Sequence, residues 1–367
     1  MGERFNTRAM VVSRALARGL GRRSRPAGAD RILVAHNLLL GDTLMLTPLL
    51  AKLRANHPGA EITLLASPGA VPLYEKRPDG VRALAFRPAE SATARALLDE
   101  APFDVAYVVG DNRYSWLAAA MRSRHIVAHS GDHPWTKDLF VDEQRDYAAS
   151  PAAWGDMVAA LADGVAPPPY ARGQWLAPAA EPFELPRKPY AVLHVGASTP
   201  LKRWLPQRWR ELAARLEARG LGIAWSAGRG EEAVVAECDP VERHPSYAGR
   251  LTLAQLWHLL SSGTVLVAPD TGVAHLGRVV LAPTVALFGP GSAVLCANGA
   301  FWGDAPWRPV TIEPFECRDQ RLLFRRRVEW VRRCTRTIEE CAEPRCMHAL
   351  SVDAVLQAVE SVAPQEL

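Results

Sequence analysis

Asp270–His275 carries the densest chemistry in the sequence, because it directly follows a short apolar run and opens a stretch with helical spacing. A helix N-terminus presents unpaired N–H groups and a partial positive charge, which together bind phosphate. Thr271 and Gly272 therefore indicate a diphosphate site, beside which Asp270 can accept hydrogen bonds from sugar hydroxyls. His275 falls one turn into the predicted helix, where it either lines the same site or is an ordinary buried histidine.

Two further loops of the second half of the chain offer groups for the same ligand. Ser198 follows another apolar run, and Lys202 behind it supplies a mobile point charge of the kind that neutralises phosphate. The alternative for this loop is a solvated surface with Trp204 packed inward. The run Pro283–Pro290, which includes Gly289, ends in a backbone turn that we expect beside the same pocket.

The first half of the chain contributes a carboxylate and a basic turn. Asp42 lies at a predicted strand-to-helix turn, where it acts either as a general base toward an acceptor hydroxyl or as a cap of the following helix. Asn112 and Arg113 end another predicted strand. They are candidates for contact with an anionic acceptor, or they are solvated surface groups.

The elements that position these residues alternate regularly between buried strands and helices, which predicts an α/β fold with parallel sheets and helices on both faces. Nine apolar runs are candidate strands, at 31–36, 62–66, 81–85, 105–109, 126–128, 191–195, 222–226, 264–268 and 284–287. A proline-rich stretch interrupts the pattern between the fifth and sixth runs. We therefore predict two doubly wound Rossmann-like domains that face each other across a ligand-binding cleft.

The predicted organisation has five parts, each defined by a change in this pattern. They are a basic N-terminal arm (1–29), an acceptor-binding domain (30–178), a proline-rich linker (179–189), a nucleotide-sugar-binding domain (190–350) and a C-terminal helix that packs back across the domains (351–367).

Composition excludes several classes of protein. Among 367 residues, 49% are hydrophobic and 22% charged, which excludes a mainly disordered or fibrous chain. The formal net charge of +4 is too small for a dedicated nucleic-acid binder, so no nucleic-acid partner is expected. No apolar run is long enough for a membrane span or a signal peptide, and we expect a cytoplasmic protein.

The N-terminal arm carries seven arginines within its first thirty residues. One interpretation is an amphipathic helix in the membrane interface, with Met10, Val11, Leu16 and Leu20 on one face. The other interpretation is a disordered basic tail.

Five spaced motifs together resemble glycosyltransferase family 9, the ADP-heptose:lipopolysaccharide heptosyltransferases. The matching segments are Leu40–Leu50, Pro200–Trp204, Ala248–Leu253, Asp270–Leu276 and Pro283–Pro290. The sequence departs from the family pattern after Pro290, where Gly291–Ala293 replaces a polar residue and Asp-Pro, and at His36–Asn37, where Arg or Asp is common. The resemblance runs from about Arg31 to Val359.

This resemblance implies a GT-B fold and an inverting transfer of heptose from ADP-heptose to a lipid-linked acceptor of the lipopolysaccharide inner core. Asp42 would be the base and Lys202 the lysine that neutralises the diphosphate. Ser198, Asp270, Thr271, Gly272, His275 and Gly289 would line the donor site. No Asp-x-Asp metal motif is present, so the implied reaction needs no metal or other cofactor, and a peripheral position on the inner face of the inner membrane fits the acceptor.

Four of the six cysteines, Cys317, Cys334, Cys341 and Cys346, crowd into one stretch without a Cys-x2-Cys pair. We expect reduced structural thiols and no metal. The alternative is a bound iron or zinc ion, since some protein-modifying members of the resembled family carry cysteine-bound iron.

Two other functions stay open. One is sugar transfer to a protein or small-molecule acceptor, and the other is a noncatalytic paralogue that binds nucleotide sugar or metal. A dinucleotide oxidoreductase is disfavoured, because no Gly-x-Gly-x-x-Gly follows the first strand of either predicted domain.

Overall fold

Two parallel β-sheets organise the chain, which confirms the predicted α/β class. The structure is a computed structural model that describes residues 2–363; Met1 of the predicted arm and 364–367 of the predicted C-terminal segment lie outside the described residues. By internal contacts the chain divides into Met1–Pro169 with Arg321–Trp330, the first unit, and Tyr170–Gln320 with Val331–Leu367, the second unit.

The first unit is built on a six-stranded sheet in the order β3-β2-β1-β4-β5-β6, with all neighbouring strands parallel. Its strands are β1 (Arg31–Ala35), β2 (Glu61–Ala66), β3 (Arg82–Ala85), β4 (Val105–Val108), β5 (His125–His129) and β6 (Glu143–Arg145). Its helices are α1 (Gly2–Ala17), α2 (Leu40–Leu44), α3 (Thr47–Asn56), α4 (Ser91–Leu98), α5 (Tyr114–Ala120) and α6 (Trp154–Ala159), with short 3-10 helices at Val71–Tyr74 and Trp135–Asp138.

The second unit is built on a five-stranded parallel sheet in the order β11-β10-β9-β7-β8. Its strands are β7 (Tyr190–His194), β8 (Gly222–Ser226), β9 (Val265–Pro269), β10 (Thr284–Leu287) and β11 (Trp307–Val310). Its helices are α7 (Pro206–Glu217), α8 (Glu232–Cys238), α9 (Leu253–Ser262), α10 (Gly272–Val279), α11 (Gly299–Trp302), α12 (Arg345–His348) and α13 (Val352–Val362), with a 3-10 helix at Pro200–Lys202.

Local sequence signals explain most of these elements. The central strands are buried along nearly their whole length, as expected of parallel strands covered by helices on both faces. Helix α9 begins with a capping box, which the segment Thr252–Gln255 encodes locally: Thr252 Oγ1 accepts from the Gln255 N–H (3.2 Å), and Gln255 Oε1 accepts from the Thr252 N–H (2.9 Å). Helix α13 packs on β10, β11 and α7 of its own unit.

A two-stranded hairpin from late in the sequence belongs to the first unit. It pairs β12 (Leu322–Leu323) with β13 (Arg326–Arg327) in antiparallel orientation. The hairpin lies inside the stretch predicted as the second domain, although its contacts are with the first unit. The predicted domain boundaries themselves stay predictions.

The N-terminal arm is neither a disordered tail nor a helix with the predicted face. Helix α1 packs on α4 and α5, with Thr7, Val11 and Ala15 buried. The predicted grouping of Val11 with Leu16 and Leu20 is wrong, because Val11 is buried while Leu16 and Leu20 are 51% and 66% exposed. Among the described residues, no helix has both the length and the apolar character needed to cross a membrane.

Candidate functional site

Lys202 and Asp270 meet at the carboxyl ends of the second unit's strands. The Lys202 ammonium donates to Asp270 Oδ2 (2.9 Å) and to the Asp270 backbone carbonyl (2.8 Å). Lys202 ends the short 3-10 helix after β7, whereas Asp270 directly follows β9, the neighbouring strand. Both side chains are only partly buried, so an incoming anion can reach the ammonium group.

The N-terminus of α10 lies immediately beside this pair. Thr271 is the N-cap residue, with extended backbone, yet its side chain caps no helical N–H. Within the described residues the buried Thr271 Oγ1 makes no hydrogen bond. A helix N-terminus whose hydroxyl and N–H groups have no hydrogen-bond partner can bind a phosphate oxygen.

His275 is a buried, neutral imidazole one turn into α10. Its side chain is 4% exposed, and burial lowers the pKa of His275 to about 3. Its Nδ1 makes no hydrogen bond within the described residues, and its ring stacks parallel to Trp307 at 6.4 Å between centroids. His275 is therefore buried, as one of the two interpretations of the sequence expects. Its Nδ1 nonetheless remains as a polar atom at the site that a ligand could use.

A potential metal-ligand set overlaps the same residues. One ligand atom each from Asp270, His275 and Cys296 lies within 4.8 Å of the others. The Lys202 ammonium already binds the Asp270 carboxylate, and the charged Arg278 adds a second nearby cation, since burial lowers its pKa only to about 10. These cations favour an anionic ligand over a metal ion at this position.

Two glycines shape the turn after β10. A Cβ on Gly291 would lie 2.4 Å from Asp270 Oδ2, so the departure from the family pattern at this position makes room for that carboxylate. At Gly289 the space for a Cβ is taken by Met347, and the Gly289 carbonyl accepts from Arg318 Nε (2.6 Å). Gly289 thus has a packing role, and its predicted donor contact stays a prediction.

Ser198 is available to a ligand, whereas the backbone N–H groups around the glycine-rich turn after β8 (228–231) are not. Ser198 is exposed in the loop after β7. In the turn, Glu231 accepts from the backbone N–H groups of Ala197 (2.9 Å) and Gly228 (2.8 Å). An internal carboxylate thus occupies these donors, which directs a diphosphate to α10 instead.

Asp42 lies in the first turn of the short helix α2, partly exposed. The N-cap position belongs to Leu39, so Asp42 is not the N-cap residue. Neighbouring groups brace this loop: the buried Tyr74 hydroxyl donates to the Thr43 carbonyl (3.2 Å), and His36 Nδ1 accepts from the Leu38 N–H (3.0 Å). Burial lowers the pKa of His36 to about 3, which keeps the accepting nitrogen unprotonated.

Asn112 is a correction to the predicted acceptor-binding set. Its side chain is completely buried, and its amide donates to the His129 carbonyl (2.8 Å) and Asp138 Oδ1 (2.6 Å). Its Oδ1 accepts from Arg326 Nη2 (2.7 Å). Because the Asn112 side chain is completely buried and hydrogen-bonded through its nitrogen and its oxygen, an acceptor cannot reach it.

Arg326, which the sequence reasoning missed, is the cation of this internal network. Its guanidinium is buried and donates to the Ser130 carbonyl (2.8 Å) and the Gly110 carbonyl (2.5 Å), and it lies 3.4 Å from Asp132 Oδ2. No local signal marks Arg326, because it lies in an arginine-rich stretch whose composition is typical of solvent-exposed charged residues.

Arg113, the other predicted acceptor residue, lines a cavity of about 470 Å³ in the first unit. Three more arginines share that cavity: Arg4 and Arg8 from α1, and Arg87 after β3. Asn37 of the loop before α2, Ser67, Thr7 and Tyr114 complete its polar lining. We call it the arginine cavity. Arg87 and Arg113 are each paired with a carboxylate, that of Glu90 and that of Asp111, whereas Arg4 and Arg8 form no salt bridge among the described residues. This excess of guanidinium groups around one space favours an anionic ligand.

The four C-terminal cysteines line one cavity of about 280 Å³ in the second unit. Burial raises the pKa of Cys317, and its neighbours Cys334 and Cys341 raise it further. A raised pKa favours the protonated thiol, whereas the deprotonated thiolate is the soft ligand that suits iron or zinc. Among the described residues, however, no three of these thiols lie within 4.8 Å of one another, so a metal would have to draw them together.

Comparison with known proteins agrees with this arrangement. The family model described as glycosyltransferase family 9 (heptosyltransferase) matches residues 105–304. The chain is 34% identical over 107 residues to lipopolysaccharide heptosyltransferase 1 of Pseudomonas aeruginosa. That match covers 29% of this chain and only 30% of the relative.

Solved structures extend the likeness in fold over nearly the whole chain. The E. coli ADP-heptose lps heptosyltransferase II has a TM-score of 0.66 at 18% identity, with 92% of this chain and 99% of that chain covered. The iron-containing dodecameric glycosyltransferase TibC of enterotoxigenic E. coli H10407 has a TM-score of 0.56 at 15% identity, with 92% and 80% covered. The first of these likenesses supports the predicted GT-B fold.

Proposed function

Since the chain belongs to glycosyltransferase family 9, the heptosyltransferase family, we propose that it transfers heptose from ADP-heptose to a saccharide acceptor of the lipopolysaccharide inner core. The names of its relatives, a lipopolysaccharide heptosyltransferase and an ADP-heptose lps heptosyltransferase, support this donor and acceptor. The observation that carries the proposal is the Lys202–Asp270 pair at the open N-terminus of α10.

The donor diphosphate binds between Lys202 and the start of α10. Lys202 holds Asp270 through one flexible ammonium group, and a diphosphate competes for that charge. Thr271 Oγ1 and the N–H groups from Gly272 onward bind phosphate oxygens, while Asp270 accepts from heptose hydroxyls. Ser198 and His275 complete the donor site.

The transfer is an inverting displacement that requires no metal ion. The acceptor hydroxyl attacks the anomeric carbon of heptose as the bond from that carbon to the phosphate oxygen breaks. Asp42 takes the proton of the hydroxyl, and ADP leaves with the bonding electron pair. Lys202 and the positive end of α10 stabilise the negative charge that develops on the departing diphosphate.

The acceptor binds to the first unit, with its anionic groups in the arginine cavity. Asn37 lines that cavity and lies in the loop that leads to Asp42. Arg87 and Arg113, which pair with Glu90 and Asp111, exchange these partners for the anionic groups of the acceptor and bind them as charge-assisted pairs. The lipid-linked acceptor places the enzyme peripherally on the cytoplasmic face of the membrane.

The second candidate is an iron-containing enzyme that uses a protein or small-molecule acceptor. It is favoured by one observation, the convergence of four thiols on one cavity, together with the name of the iron-containing relative TibC. Bound iron at these cysteines would hold the segment 317–346 together and take no part in the transfer. In the leading proposal the thiols are reduced and hold no metal.

One experiment tests the donor. The purified chain is heated with ADP, UDP or GDP, and nucleotide release from ADP-heptose is then measured with an inner-core saccharide acceptor. We expect stabilisation by ADP alone and acceptor-dependent release of ADP. Stabilisation by UDP or GDP instead would contradict the donor, and absence of turnover with intact ADP binding would favour the noncatalytic alternative.

A second experiment tests the acceptor and the cysteines together. Elemental analysis of protein purified without chelator or metal-affinity resin is compared for the parent chain and Cys341→Ser. We expect no stoichiometric iron or zinc in either protein. Stoichiometric metal that is lost in Cys341→Ser would move the second candidate ahead of the first.

A further inference from the structure

Helix α1 is apolar on two faces, only one of which is covered. Val11 and Ala15 are buried against the first unit, and the opposite side of the helix carries Phe5, Val12 and Leu16, which are 71%, 41% and 51% exposed. At about 100° per residue these three side chains and that of Ala9 fall within an arc of about 60°. We call them the outer stripe. Isolated exposed apolar residues are ordinary, whereas a continuous stripe on one helix marks an interaction surface.

The charged side chains of α1 flank the outer stripe, and none of them lies within it. The charged residues of α1 are Glu3, Arg4, Arg8 and Arg14, and none of them falls within the arc of the stripe. The remaining residues on the outward side are small or uncharged: Gly2, Asn6, Ser13 and Ala17. An apolar centre with charges held to its margins is typical of a helix that lies in a membrane interface.

Arginine-lined cavities border α1 on both sides of the stripe. The arginine cavity touches α1 at Arg4, Thr7 and Arg8. A second cavity of about 580 Å³ touches it at Ser13, Arg14 and Ala17. Arg18, Arg23 and Arg122 line that second cavity as well.

Much of this cationic rim has no acidic partner among the described residues. Among the salt bridges of the described residues, none involves Arg4, Arg8, Arg23 or Arg122. Arg18, by contrast, is neutralised by Asp142 at 2.7 Å. Arg23 and Arg122 donate to the backbone carbonyls of Arg18 and Glu100, which leaves their positive charge without a neutralising carboxylate. Such positive charge on both sides of an apolar stripe complements an anionic lipid surface, where each basic residue adds to binding.

We propose that the outer stripe of α1 docks the enzyme on an anionic lipid bilayer, with Phe5, Val12 and Leu16 in the interface. The arginines beside the stripe that lack a salt bridge among the described residues bind lipid phosphates; they are Arg4, Arg8, Arg23 and Arg122. The buried face of α1 fixes the helix to the first unit, so docking fixes the orientation of that unit on the bilayer. This inference rests on the peripheral location in the proposed function but not on the donor, the acceptor or the reaction.

A second copy of the chain is the competing occupant of the stripe. In a two-fold dimer the same surface meets itself, so the arginines that rim one stripe would approach the arginines that rim the other. Like charges across a contact oppose association, whereas an anionic bilayer attracts both margins at once. Charge therefore favours the bilayer.

The test measures sedimentation of the full chain with phosphatidylcholine vesicles that contain or lack phosphatidylglycerol, without donor or acceptor. The variant Phe5→Gln/Val12→Gln/Leu16→Gln changes only exposed side chains, and its matched control is Val165→Gln/Leu176→Gln/Val241→Gln, at positions 76%, 66% and 79% exposed. We expect salt-sensitive binding of the parent chain to anionic vesicles, a loss of at least about tenfold in the stripe variant, and no loss in the control. Arg122→Gln should weaken binding about fivefold.

Two results would overturn the proposal. One is equal sedimentation of the parent chain and the stripe variant. The other is a dimeric parent chain that becomes monomeric in the stripe variant while neither binds vesicles, which assigns the stripe to a second copy. Release of ADP with a soluble acceptor fragment is measured alongside and should not differ between parent and variant, so failure of docking and failure of the proposed reaction are separate outcomes.

Discussion

The carboxyl edges of the two sheets use polar groups in opposite ways. In the second unit, Thr271 Oγ1 and His275 Nδ1 are buried without hydrogen bonds to any described residue, and the Lys202 ammonium donates to Asp270. In the first unit, Asn112 lies in the loop after the central strand β4, but its amide nitrogen and oxygen are hydrogen-bonded to His129, Asp138 and Arg326. One edge keeps donors for a ligand, whereas the other uses them for its own stability.

The cations at these two edges, Lys202 and Arg326, differ in the same way: one can exchange its partner and the other cannot. Lys202 offers a flexible point charge that can exchange one oxygen partner for another. Arg326 is a planar fork whose donors are divided among several fixed backbone carbonyls. A replaceable contact suits binding, and a saturated one suits structure. This difference yields four predictions.

The largest expected effect is on turnover in Asp42→Asn. Loss of the proton acceptor should lower turnover by roughly 10²–10⁴ while ADP affinity stays unchanged, because Asp42 belongs to the first unit and the donor groups to the second. Steady-state kinetics and ADP titration measure the two quantities. Asp99→Asn, an exposed carboxylate of the same unit, is the control and should behave as the parent chain. Parental turnover in Asp42→Asn would remove Asp42 from catalysis.

Arg326→Met should destabilise the first unit by about 3–5 kcal/mol, because it leaves buried carbonyls and Asp132 without their cation. Hydrogen exchange of the segment 110–132 should accelerate, while ADP binding to the second unit persists. Arg327→Met is the matched control, since that neighbouring side chain is 72% exposed. Unchanged protection in Arg326→Met would mean that the network is not structural.

Lys202→Ala should weaken ADP binding by about 10–100-fold and slow transfer as well, because the charge acts on both the bound and the departing diphosphate. Calorimetric titration with ADP checks the first effect. Lys188→Ala, at an exposed lysine of the same unit, should leave ADP affinity unaltered. Equal ADP affinity in Lys202→Ala and the parent chain would exclude Lys202 from the donor site.

The most gradual effect, and the smallest over a few tenths of a pH unit, is a loss of stability on acidification that both units share. Burial lowers the pKa values of His36 and His275 to about 3, so between an unfolded pKa of about 6.5 and that value the unfolded chain binds more protons than the native one. The contribution of the two neutral histidines to the free energy of unfolding is therefore fully present above a pH of about 6.5. Below that pH it falls by up to about 1.4 kcal/mol per pH unit for each histidine. Denaturant unfolding between neutral and mildly acidic pH measures the slope.

His275→Gln removes one of these groups and should flatten the slope by about one proton in that range. His57→Gln, at a histidine that is not fully buried, is the control. An unaltered slope in His275→Gln would show that the imidazole is not held neutral in the native protein.

Much of the fold was predictable because its signals are local. The nine predicted strands all appear within about a residue of their expected bounds, since a buried parallel strand needs a short apolar run wherever it lies. The helix start at Thr271–Gly272 and the capping box at Thr252 were predictable for the same reason. The Lys202–Asp270 contact was not explicit in the sequence, although both residues were candidates for one site.

The errors concern contacts between distant parts of the chain. Asn112 reads as a loop residue with its amide available, yet its partner Arg326 lies 214 positions away. The arginine cavity joins α1 to loops after β3 and β4, and no periodicity of α1 alone tells which of its two apolar faces is covered.

By itself, therefore, the sequence determined the parallel sheets, the helix start that suits a phosphate and the family of the chain, because each depends on neighbours within a few residues. Only the tertiary structure decided that Asn112 is internal, that Arg326 saturates the first unit's edge and that the outer stripe of α1 faces solvent. The physical reason is that burial and hydrogen bonding depend on which distant segment of the chain packs against a residue. A buried polar group forms its hydrogen bonds with the groups that the fold places next to it.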